Sequence, residues 1–293
     1  MSGIIYKVLR YSGVAWLWRE TVQRKRVTFL LFHDIAPEDA ERNFSYLKRH
    51  YCPISLKDYV NAVHNQTKLP KKAVVITFDD GHLSNSRLLH IIKDLDIPVT
   101  VFLCSSIVGT HRHFWFRHIE AVKYGVESLK QLSNYERLQK MMIMGFAQDK
   151  EYNDRQALSG EEIEAMKREV DFQSHTCFHP ILPQCDDATA RDEIIISKHQ
   201  LEAFFKLDVF ALSYPNGDYS DREIRLAKEA GYQCGITVDS GYNDLHSDLF
   251  RLKRFSVNDA KSITELMVKA SGIYALIKHK LHKPSYGYKP SLS

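Results

Sequence analysis

Short runs of β-branched and aromatic residues alternate with amphipathic helical patterns along most of the chain. Strands that alternate with helices pair in parallel through crossover helices, so this order restricts the chain to the α/β class. About seven or eight such units predict a distorted (β/α) barrel of about seven strands. A doubly wound open sheet is the alternative. The predicted strands are 27–32, 51–54, 74–78, 98–103, 170–173, 209–213, 233–238 and 251–257.

Three of the predicted helices begin with a serine that stands three residues before an acidic residue. Ser159, Ser220 and, in a weaker version, Ser55 occupy this position. Such a capping box satisfies backbone N–H groups that the first turn of a helix leaves without partners. The predicted helices are 38–50, 56–64, 84–95, 161–169, 188–205, 221–230 and 260–271.

Length and composition favour one large domain. The chain has 293 residues with only 13 glycines and 9 prolines, and it contains no repeat of fixed period. We assign residues 27–271 to the barrel. The segment 111–158 interrupts the alternation, and we interpret it as a helical insertion on one βα loop, where substrate contacts are often placed. Residues 272–293 are expected to form a basic C-terminal tail.

Residues 1–26 form a basic amphipathic arm. The arm has six basic residues and one acidic residue, so it carries +5, whereas the whole chain carries +4 and the remainder −1. Its longest apolar run, 14–18, is too short for a signal peptide, and no stretch approaches the roughly 20 apolar residues that span a bilayer. Two interpretations stay open. The arm, with Trp16 and Trp18, lies on an anionic membrane surface, or it packs as a helix on the barrel.

The cysteine count indicates the compartment. Five cysteines, an odd number without a Cys-x-x-Cys pair, do not suit the disulfide framework of a small secreted domain. We expect reduced thiols in a cytoplasmic protein, peripheral at the inner membrane face if the arm binds lipid. The near-neutral charge outside the arm argues against a nucleic-acid partner.

Polar, ionisable or glycine-rich groups follow the predicted strands repeatedly. Barrel enzymes assemble their sites at the carboxyl ends of the strands, so we expect these groups to converge there. The groups are His33-Asp34, Asp79-Asp80-Gly81, the segment from His175 to His179, Tyr214-Pro215-Asn216-Gly217 and Asp239-Ser240-Gly241.

Asp80, His175 and His179 are the candidate metal ligands. Two histidines four residues apart turn their imidazoles toward one point if their segment is helical or tightly looped. Two histidines and one carboxylate, with positions left open, suit a catalytic zinc or a related divalent metal. We therefore expect one divalent ion, with Zn²⁺ preferred over Co²⁺, Mn²⁺ or Ni²⁺.

We expect one of the adjacent residues Asp79 and Asp80 to bind the metal and the other to act as a base. Neighbouring side chains on an extended backbone point to opposite sides. One carboxylate can therefore bind the metal while the other stays free as a base. Asp80 as ligand and Asp79 as base is the division that we adopt, although the sequence alone does not decide it.

Two segments together carry a family resemblance. Thr77-Phe78-Asp79-Asp80-Gly81 and Ser174-His175-Thr176, with His179-Pro180, resemble the first two motifs of the polysaccharide deacetylase (NodB-homology) family. Tyr214-Pro215-Asn216-Gly217 is similar to its third motif. The members are metal-dependent carbohydrate esterases on a distorted (β/α) barrel, and the resemblance covers about 27–257.

The resemblance implies a role for each matching residue. Asp79 is implied as the catalytic base, with Asp80, His175 and His179 as metal ligands. The backbone N–H of Asn216 is implied as a donor to the oxyanion. His33 resembles a strand-end histidine of many members, and we expect it to contact the substrate or the site's ligands rather than to be a core histidine.

The sequence departs from the family pattern at two places. The arginine that usually orients the base is absent from residues 211–213, and Leu252-Lys253-Arg254 replaces the Leu-x-His that supplies the general acid. An arginine is a poor proton donor at neutral pH, but its planar guanidinium suits a carboxylate. We predict that Arg254 orients Asp79. The general acid stays unassigned, with His82 and His246 as weak candidates.

The predicted function is hydrolysis of an acetyl group from an N-acetylated sugar, as an N-deacetylase of cell-envelope glycan or glycolipid biosynthesis. The expected partner is the sugar itself, lipid-linked or nucleotide-linked. Two alternatives remain. One is a deformylase or amidase that acts on another amide, and the other is a catalytically silent barrel that serves as a binding module.

Overall fold

The computed structural model of the protein describes residues 2–257, 260, 262–281 and 287. Within these residues eight parallel-paired strands form one sheet. The strands are β1 (Thr28–Phe32), β2 (Cys52–Pro53), β3 (Ala73–Phe78), β4 (Val99–Leu103), β5 (Val170–Ser174), β6 (Ala211–Ser213), β7 (Cys234–Ile236) and β8 (Phe255–Ser256).

The strand order follows the chain around the sheet. It runs β7-β6-β5-β4-β3-β1-β8, with the short β2 paired to β3. An order that proceeds in one direction is that of a singly wound sheet, whereas a doubly wound sheet reverses direction from its first strand. The prediction of a distorted (β/α) barrel of about seven strands is therefore confirmed, and the doubly wound alternative is wrong.

The segment 252–256 links the two ends of this strand order. On one side the N–H of Leu252 donates to the carbonyl oxygen of Gly235 at 3.0 Å, and the N–H of Thr237 donates to the carbonyl oxygen of Leu252 at 2.8 Å. On the other side Phe255 pairs with Leu30 of β1. The last strand segment therefore stands between β7 and β1, which makes the sheet a barrel with a loose seam.

Thirteen α-helices occur in the described part of the chain, and most follow a strand. Ser55, Ser159 and Ser220 each form the predicted capping box, with the side-chain and backbone hydrogen bonds present in both directions. The helices are α1 (Ser2–Tyr11), α2 (Val14–Thr21), α3 (Pro37–His50), α4 (Leu56–Asn65), α5 (Leu89–Leu95), α6 (Ile119–Tyr124), α7 (Val126–Leu129), α8 (Asn134–Ile143), α9 (Gly160–Met166), α10 (Asp187–Phe205), α11 (Asp221–Glu229), α12 (Ile263–Ala270) and α13 (Ile273–Leu281).

Alternate residues of each strand face the two sides of the sheet. Leu30, Ile76 and Val101 belong to the apolar core that includes residues of the surrounding helices. Phe29 and Val75 belong to a second cluster, together with residues of β4, β6 and β7, inside the barrel. This alternation determines which strand residues can reach the site at the carboxyl end.

The segment between β4 and α9 contains the predicted helical insertion. Helices α6, α7 and α8 lie within it and share a small apolar core of their own, which includes Trp115, Leu129 and Met141. Ile181, which lies after β5, joins this core. The insertion is therefore packed against the loop that carries the candidate histidine ligands.

The two ends of the chain meet on one side of the barrel. Tyr6 of α1 and Ala15 of α2 are buried with Val268 and Ile273, and the indole N–H of Trp18 donates to the hydroxyl of Tyr242 at 2.9 Å. The arm thus packs on the barrel as two helices. Residues 273–281 of the predicted basic C-terminal tail form α13, and residues 282–286 and 288–293 of that tail lie outside the described residues.

Candidate active site

The residues that follow the strands border a cavity of about 450 Å³. His33 follows β1, Asp79 and Asp80 follow β3, and Asn216 lies after β6. The insertion closes one side of the cavity with residues from its first helices. Those residues are Phe116, Val126, Glu127 and Lys130.

Asp79 and Asp80 both face this cavity because the backbone leaves the extended conformation between them. The N–H of Asp79 still donates to the carbonyl oxygen of Phe32 at 3.1 Å, as in the sheet. Asp80 then has φ = 74°, in the left-handed region that a non-glycine residue seldom adopts. Gly81 follows with φ = 73°, and a Cβ there would lie 2.6 Å from Leu103 Cδ2. The opposed orientation expected for an extended pair therefore does not apply.

His175 and His179 lie on a tight loop rather than on a helix. Thr176 and His179 have φ values of 66° and 56°. The buried carboxylate of Glu193 accepts hydrogen bonds from the backbone N–H groups of Cys177 at 2.8 Å and Phe178 at 3.0 Å. These bonds hold the turn that brings both imidazoles toward Asp80.

Trp115 and Glu193 are supporting residues that the sequence analysis missed. The indole N–H of Trp115, from the insertion, donates to the carbonyl oxygen of His179 at 2.8 Å. Burial raises the pKa of Glu193 to about 7, although the N–H groups of Phe178 and Cys177 oppose that rise. Both residues contact the loop from other segments of the chain. No local sequence motif therefore indicates their supporting role.

Asp80, His175 and His179 have the geometry of a metal site. Asp80 Oδ1 lies 3.4 Å from His175 Nε2 and 3.5 Å from His179 Nε2, and one ligand atom from each residue lies within 4.8 Å of the others. Zinc bonds to nitrogen and oxygen of about 2.1 Å in a tetrahedral arrangement separate two ligand atoms by roughly 3.4 Å. Among the described residues, buried Asp80 Oδ1 has no hydrogen-bond partner. The donor set therefore fits a divalent ion.

The charge states of the histidines suit ligands. His175 Nδ1 lies 2.8 Å from the carbonyl oxygen of Ser213, which can only accept, so Nδ1 carries the proton and Nε2 faces the cavity with its lone pair. Burial lowers the pKa of His179 to about 3. Burial would lower the pKa of His175 as well, but the carboxylates of Asp79 and Asp80 raise it. A divalent cation supplies the positive charge that these carboxylates attract.

His82 contacts the second oxygen of Asp80. Its Nε2 lies 3.0 Å from Asp80 Oδ2, and its Nδ1 lies 3.0 Å from Nη1 of Arg117, which can only donate. Nε2 therefore carries the proton and donates it to Asp80. Burial opposes ionisation of Asp80, but the neighbouring imidazoles of His175 and His82 hold its pKa well below the ordinary value. His82 thus supports a ligand and does not line the main cavity.

Arg254, immediately before β8, holds the carboxylate of Asp79. Its Nη1 donates to Asp79 Oδ1 at 2.8 Å and its Nη2 to Oδ2 at 2.7 Å. The guanidinium also donates to the Thr237 carbonyl oxygen and to the hydroxyls of Thr77 and Ser213. Burial raises the pKa of Asp79, but Arg254 and His175 together bring it below the ordinary value. The carboxylate is thereby ionised and fixed in direction.

Asn216 lies at the rim with a left-handed backbone, φ = 58°. Its side-chain amide donates to Asp218 Oδ2 at 2.6 Å, and the residue lines the cavity. Gly217 follows with φ = 75°, and a Cβ there would lie 2.1 Å from Val238 Cγ2, so only glycine fits. His246, by contrast, is on an exposed turn away from the cavity.

The chain is similar to known proteins over most of its length. The sequence profile of the family described as polysaccharide deacetylase matches residues 66–235. YxkH of Bacillus subtilis (strain 168), provisionally named a polysaccharide deacetylase, is 21% identical over 255 residues, which cover 84% of this chain and 76% of YxkH. The poly-beta-1,6-N-acetyl-D-glucosamine N-deacetylase of Staphylococcus epidermidis is 24% identical over 239 residues, which cover 78% of this chain and 70% of that protein.

The fold is also similar to solved structures. The Streptococcus pyogenes deacetylase PplD, solved in complex with acetate, superposes with a TM-score of 0.62 and 20% identity, over 84% of this chain and 98% of PplD. At this level of identity the likeness establishes the fold, here a barrel of the same type.

Proposed function

This chain belongs to the polysaccharide deacetylase family, and on that premise we propose that it removes the acetyl group from an N-acetylated sugar with one divalent metal ion. The observation that carries the proposal is the meeting of Asp80, His175 and His179 beside an aspartate that Arg254 holds. The ion is Zn²⁺ in preference to Co²⁺, Mn²⁺ or Ni²⁺, because two imidazoles and one carboxylate are a typical donor set for catalytic zinc.

Asp80, His175 and His179 hold the ion in this proposal. When bound, a divalent ion at such a site polarises a carbonyl group and lowers the pKa of a water molecule. Asp80 offers Oδ1, since His82 engages Oδ2. His175 offers Nε2, since Ser213 engages Nδ1. These outer hydrogen bonds fix which atom of each side chain faces the centre, and such contacts commonly affect metal affinity about 10–100-fold.

Asp79 acts as the general base. It takes a proton from the attacking water, a contribution of about 10²–10⁴-fold in typical enzymes. Arg254 keeps the carboxylate ionised and restricts it to one orientation. The backbone N–H of Asn216 donates to the oxyanion that forms as the amide carbon becomes tetrahedral, and one such donor is worth about 3–4 kcal/mol.

The substrate is an N-acetylated amino sugar of a cell-envelope glycan or glycolipid, with N-acetylglucosamine as the first candidate. One relative is named for this sugar. The cavity wall supports a sugar ligand, because it offers the apolar face of Phe116 beside the polar side chains of Glu127 and Lys130. The sugar is lipid-linked or nucleotide-linked in this proposal.

The N-terminal helices contact an anionic membrane surface in this proposal. Their outer face exposes 71% of Ile4, 60% of Val8, 57% of Trp16 and 54% of Leu17, although their inner face packs on the barrel. Lys7 is exposed on α1, and three consecutive basic residues, 24–26, are exposed after α2. Exposed apolar side chains with basic neighbours suit the headgroup region of an anionic bilayer.

The compartment follows from the thiols and from the arm. All five cysteines are free, and four of them are buried, as suits a reducing compartment. None of the helices in the described part of the chain combines the length and hydropathy that crossing a bilayer requires. We place the enzyme at the cytoplasmic face of the membrane.

Acetate release from an oligomer of N-acetylglucosamine tests the function. The protein is stripped with a chelator and reloaded with Zn²⁺, and acetate and free amine are then quantified by mass spectrometry. Equal amounts of both products, lost with the Asp80→Asn variant, support the proposal. Hydrolysis of simple amides without any sugar product would favour the amidase alternative, and metal binding without hydrolysis would favour the silent binding module.

A further inference from the structure

Arg137 is a buried cation to which the proposed mechanism gives no role. It lies on α8 of the insertion and is 0% exposed. Its Nη2 donates to the side chain of Asn134, but among the described residues its Nε and Nη1 have no hydrogen-bond partner. Burial lowers the pKa of Arg137 to about 10, although Cys185 and Glu193 oppose that effect, so the guanidinium stays protonated near neutral pH. A buried charge with so few partners costs free energy, so folding alone does not explain an arginine at this position.

Arg137 packs on the face of the Trp115 indole. Its Cζ lies 4.5 Å from the centroid of that ring. A guanidinium is attracted to the π electrons of a tryptophan, and the attraction is strongest where water is excluded. Trp115 is itself buried in the apolar core of the insertion. The contact therefore restricts the plane of the ring, and with it the direction in which the indole N–H points.

The indole N–H of Trp115 points to the backbone of His179. It donates to the His179 carbonyl oxygen at 2.8 Å, and the His179 N–H donates to Thr176 Oγ1 at 3.2 Å. His179 has φ = 56°, a left-handed conformation that persists in a non-glycine residue only where its surroundings hold it. Glu193 holds two N–H groups earlier in the same loop. The carbonyl side of His179 is therefore held from the insertion.

We propose that Arg137 is a positioning residue for the metal site, and that it acts on His179 through Trp115. The guanidinium fixes the indole, and the indole fixes the left-handed backbone of His179. That backbone directs the imidazole toward Asp80. Arg137 itself does not line the cavity. The inference rests on the proposed function, because it takes His179 as a metal ligand.

Zinc affinity and stability should respond in different ways to Arg137→Met. The affinity, measured by competition with a chromophoric chelator, should fall about 10–100-fold, as is usual for a residue behind a ligand. The thermal midpoint of the metal-free protein should be unchanged or higher, because methionine replaces a poorly partnered buried charge with an apolar side chain of similar length. Arg137→Lys keeps a cation over the ring and should recover part of the affinity. A lower midpoint with unchanged zinc affinity would make Arg137 merely structural and overturn the proposal.

Trp115→Phe tests whether the effect passes through the indole N–H. This variant keeps an aromatic ring but loses the donor to His179, so its zinc affinity should fall at least as far as that of Arg137→Met. The double variant Arg137→Met/Trp115→Phe should bind zinc no more weakly than Trp115→Phe alone, since residues that act in one chain of contacts are not additive. Additive losses, or an unchanged affinity in Trp115→Phe, would contradict the proposed route.

Lys140→Met is the matched control for a cation on the same helix. Lys140 also lies on α8, with its Nζ 4.3 Å from the centroid of the Tyr124 ring, and it has no contact with Trp115 or with His179 among the described residues. Its zinc affinity should equal that of the wild type. A loss as large as that of Arg137→Met would show that any change in the insertion disturbs the site, and the specific role of Arg137 would be rejected.

Hydrogen exchange of the metal-free protein keeps this inference separate from the proposed function. The indole N–H of Trp115 and the amide N–H of His179 are both hydrogen-bonded, so NMR should find them protected in the wild type and in Lys140→Met. Both should exchange faster in Arg137→Met. If the wild type takes up no zinc, the proposed function fails, and faster exchange would still support the hold of Arg137 on the loop. Equal exchange rates in the wild type and Arg137→Met would overturn that hold, whether or not zinc binds.

Discussion

Arg254 and Asp79, separated by 175 positions in the chain, form a buried pair with two parallel hydrogen bonds of 2.7 and 2.8 Å. Arg254 is fully buried, and Asp79 is 3% exposed. The pair joins the last strand segment of the barrel to the end of β3. It therefore depends on the seam between β7 and β1, and it places the proposed base against the metal site.

Arg254→Met should slow the enzyme and move the acidic limb of its pH–rate profile to higher pH. Without the guanidinium, burial raises the pKa of Asp79, so the carboxylate becomes protonated at a higher pH. Loss of orientation is expected to lower kcat by about 10²-fold. The double variant Asp79→Asn/Arg254→Met controls for destabilisation by an unpaired buried charge. An unchanged profile and kcat would show that Arg254 does not act on the base.

His179→Ala should weaken zinc binding by at least about 10²-fold, because even residues behind a ligand contribute about 10–100-fold. Turnover should be lost with the metal. The measurement is metal content after dialysis against a metal buffer, with His246→Ala as the matched histidine outside the cavity. Stoichiometric zinc in the His179→Ala protein would remove His179 from the site.

Asp79→Asn and Asp80→Asn should separate the base from the ligand. Asp79→Asn is expected to keep the metal and lose about 10²–10⁴-fold in kcat. Asp80→Asn should lose both, since its Oδ1 lies between the two imidazoles. Metal content and single-turnover rates of the two proteins decide the matter, and the reverse pattern would exchange the two roles.

The double variant Trp16→Glu/Leu17→Glu should not bind to anionic vesicles. Burial of two such side chains stabilises a bound helix by roughly 3 kcal/mol or more, which corresponds to about 10²-fold in affinity. The measurement is co-sedimentation with phosphatidylglycerol vesicles at low and high salt. Phe204→Glu, an exposed aromatic on α10, is the matched control. Activity on a soluble substrate should be spared, and undiminished sedimentation of the double variant would exclude this surface.

Glu193→Gln should make the stability of the folded protein less dependent on pH. Burial raises the pKa of Glu193 from 4.5 to about 7. The folded state therefore favours the protonated form, and the corresponding stability is complete below about pH 4.5 and lost as the pH rises through about 7. The loss is on the order of 3 kcal/mol.

Glutamine keeps an oxygen that can accept from Cys177 and Phe178 and has no proton to lose. The measurement is the free energy of urea unfolding of the wild type and of Glu193→Gln between pH 5 and pH 8, at about one-unit intervals. As the pH rises, the stability of the wild type should fall relative to that of Glu193→Gln. A constant difference over this range would mean that Glu193 does not titrate in the folded protein.

Local patterns in the sequence determined the strands, the helices and the strand-end residues of the site. Apolar alternation and helical periodicity are properties of neighbouring residues, so they can be recognised in the sequence without knowledge of the fold. The capping boxes at Ser55, Ser159 and Ser220 are local for the same reason. Motifs at the ends of parallel strands also indicated a common site, because parallel strands end at one rim.

Only the tertiary structure decided which of these side chains meet. The left-handed backbone of Asp80 places two adjacent carboxylates in one cavity, which an extended strand would not allow. His82 reaches Asp80 Oδ2, and Glu193 holds the histidine loop from a helix that begins eight positions beyond His179. Contacts of this kind depend on how the sheet closes and how helices pack on it, and no spacing within the chain encodes them.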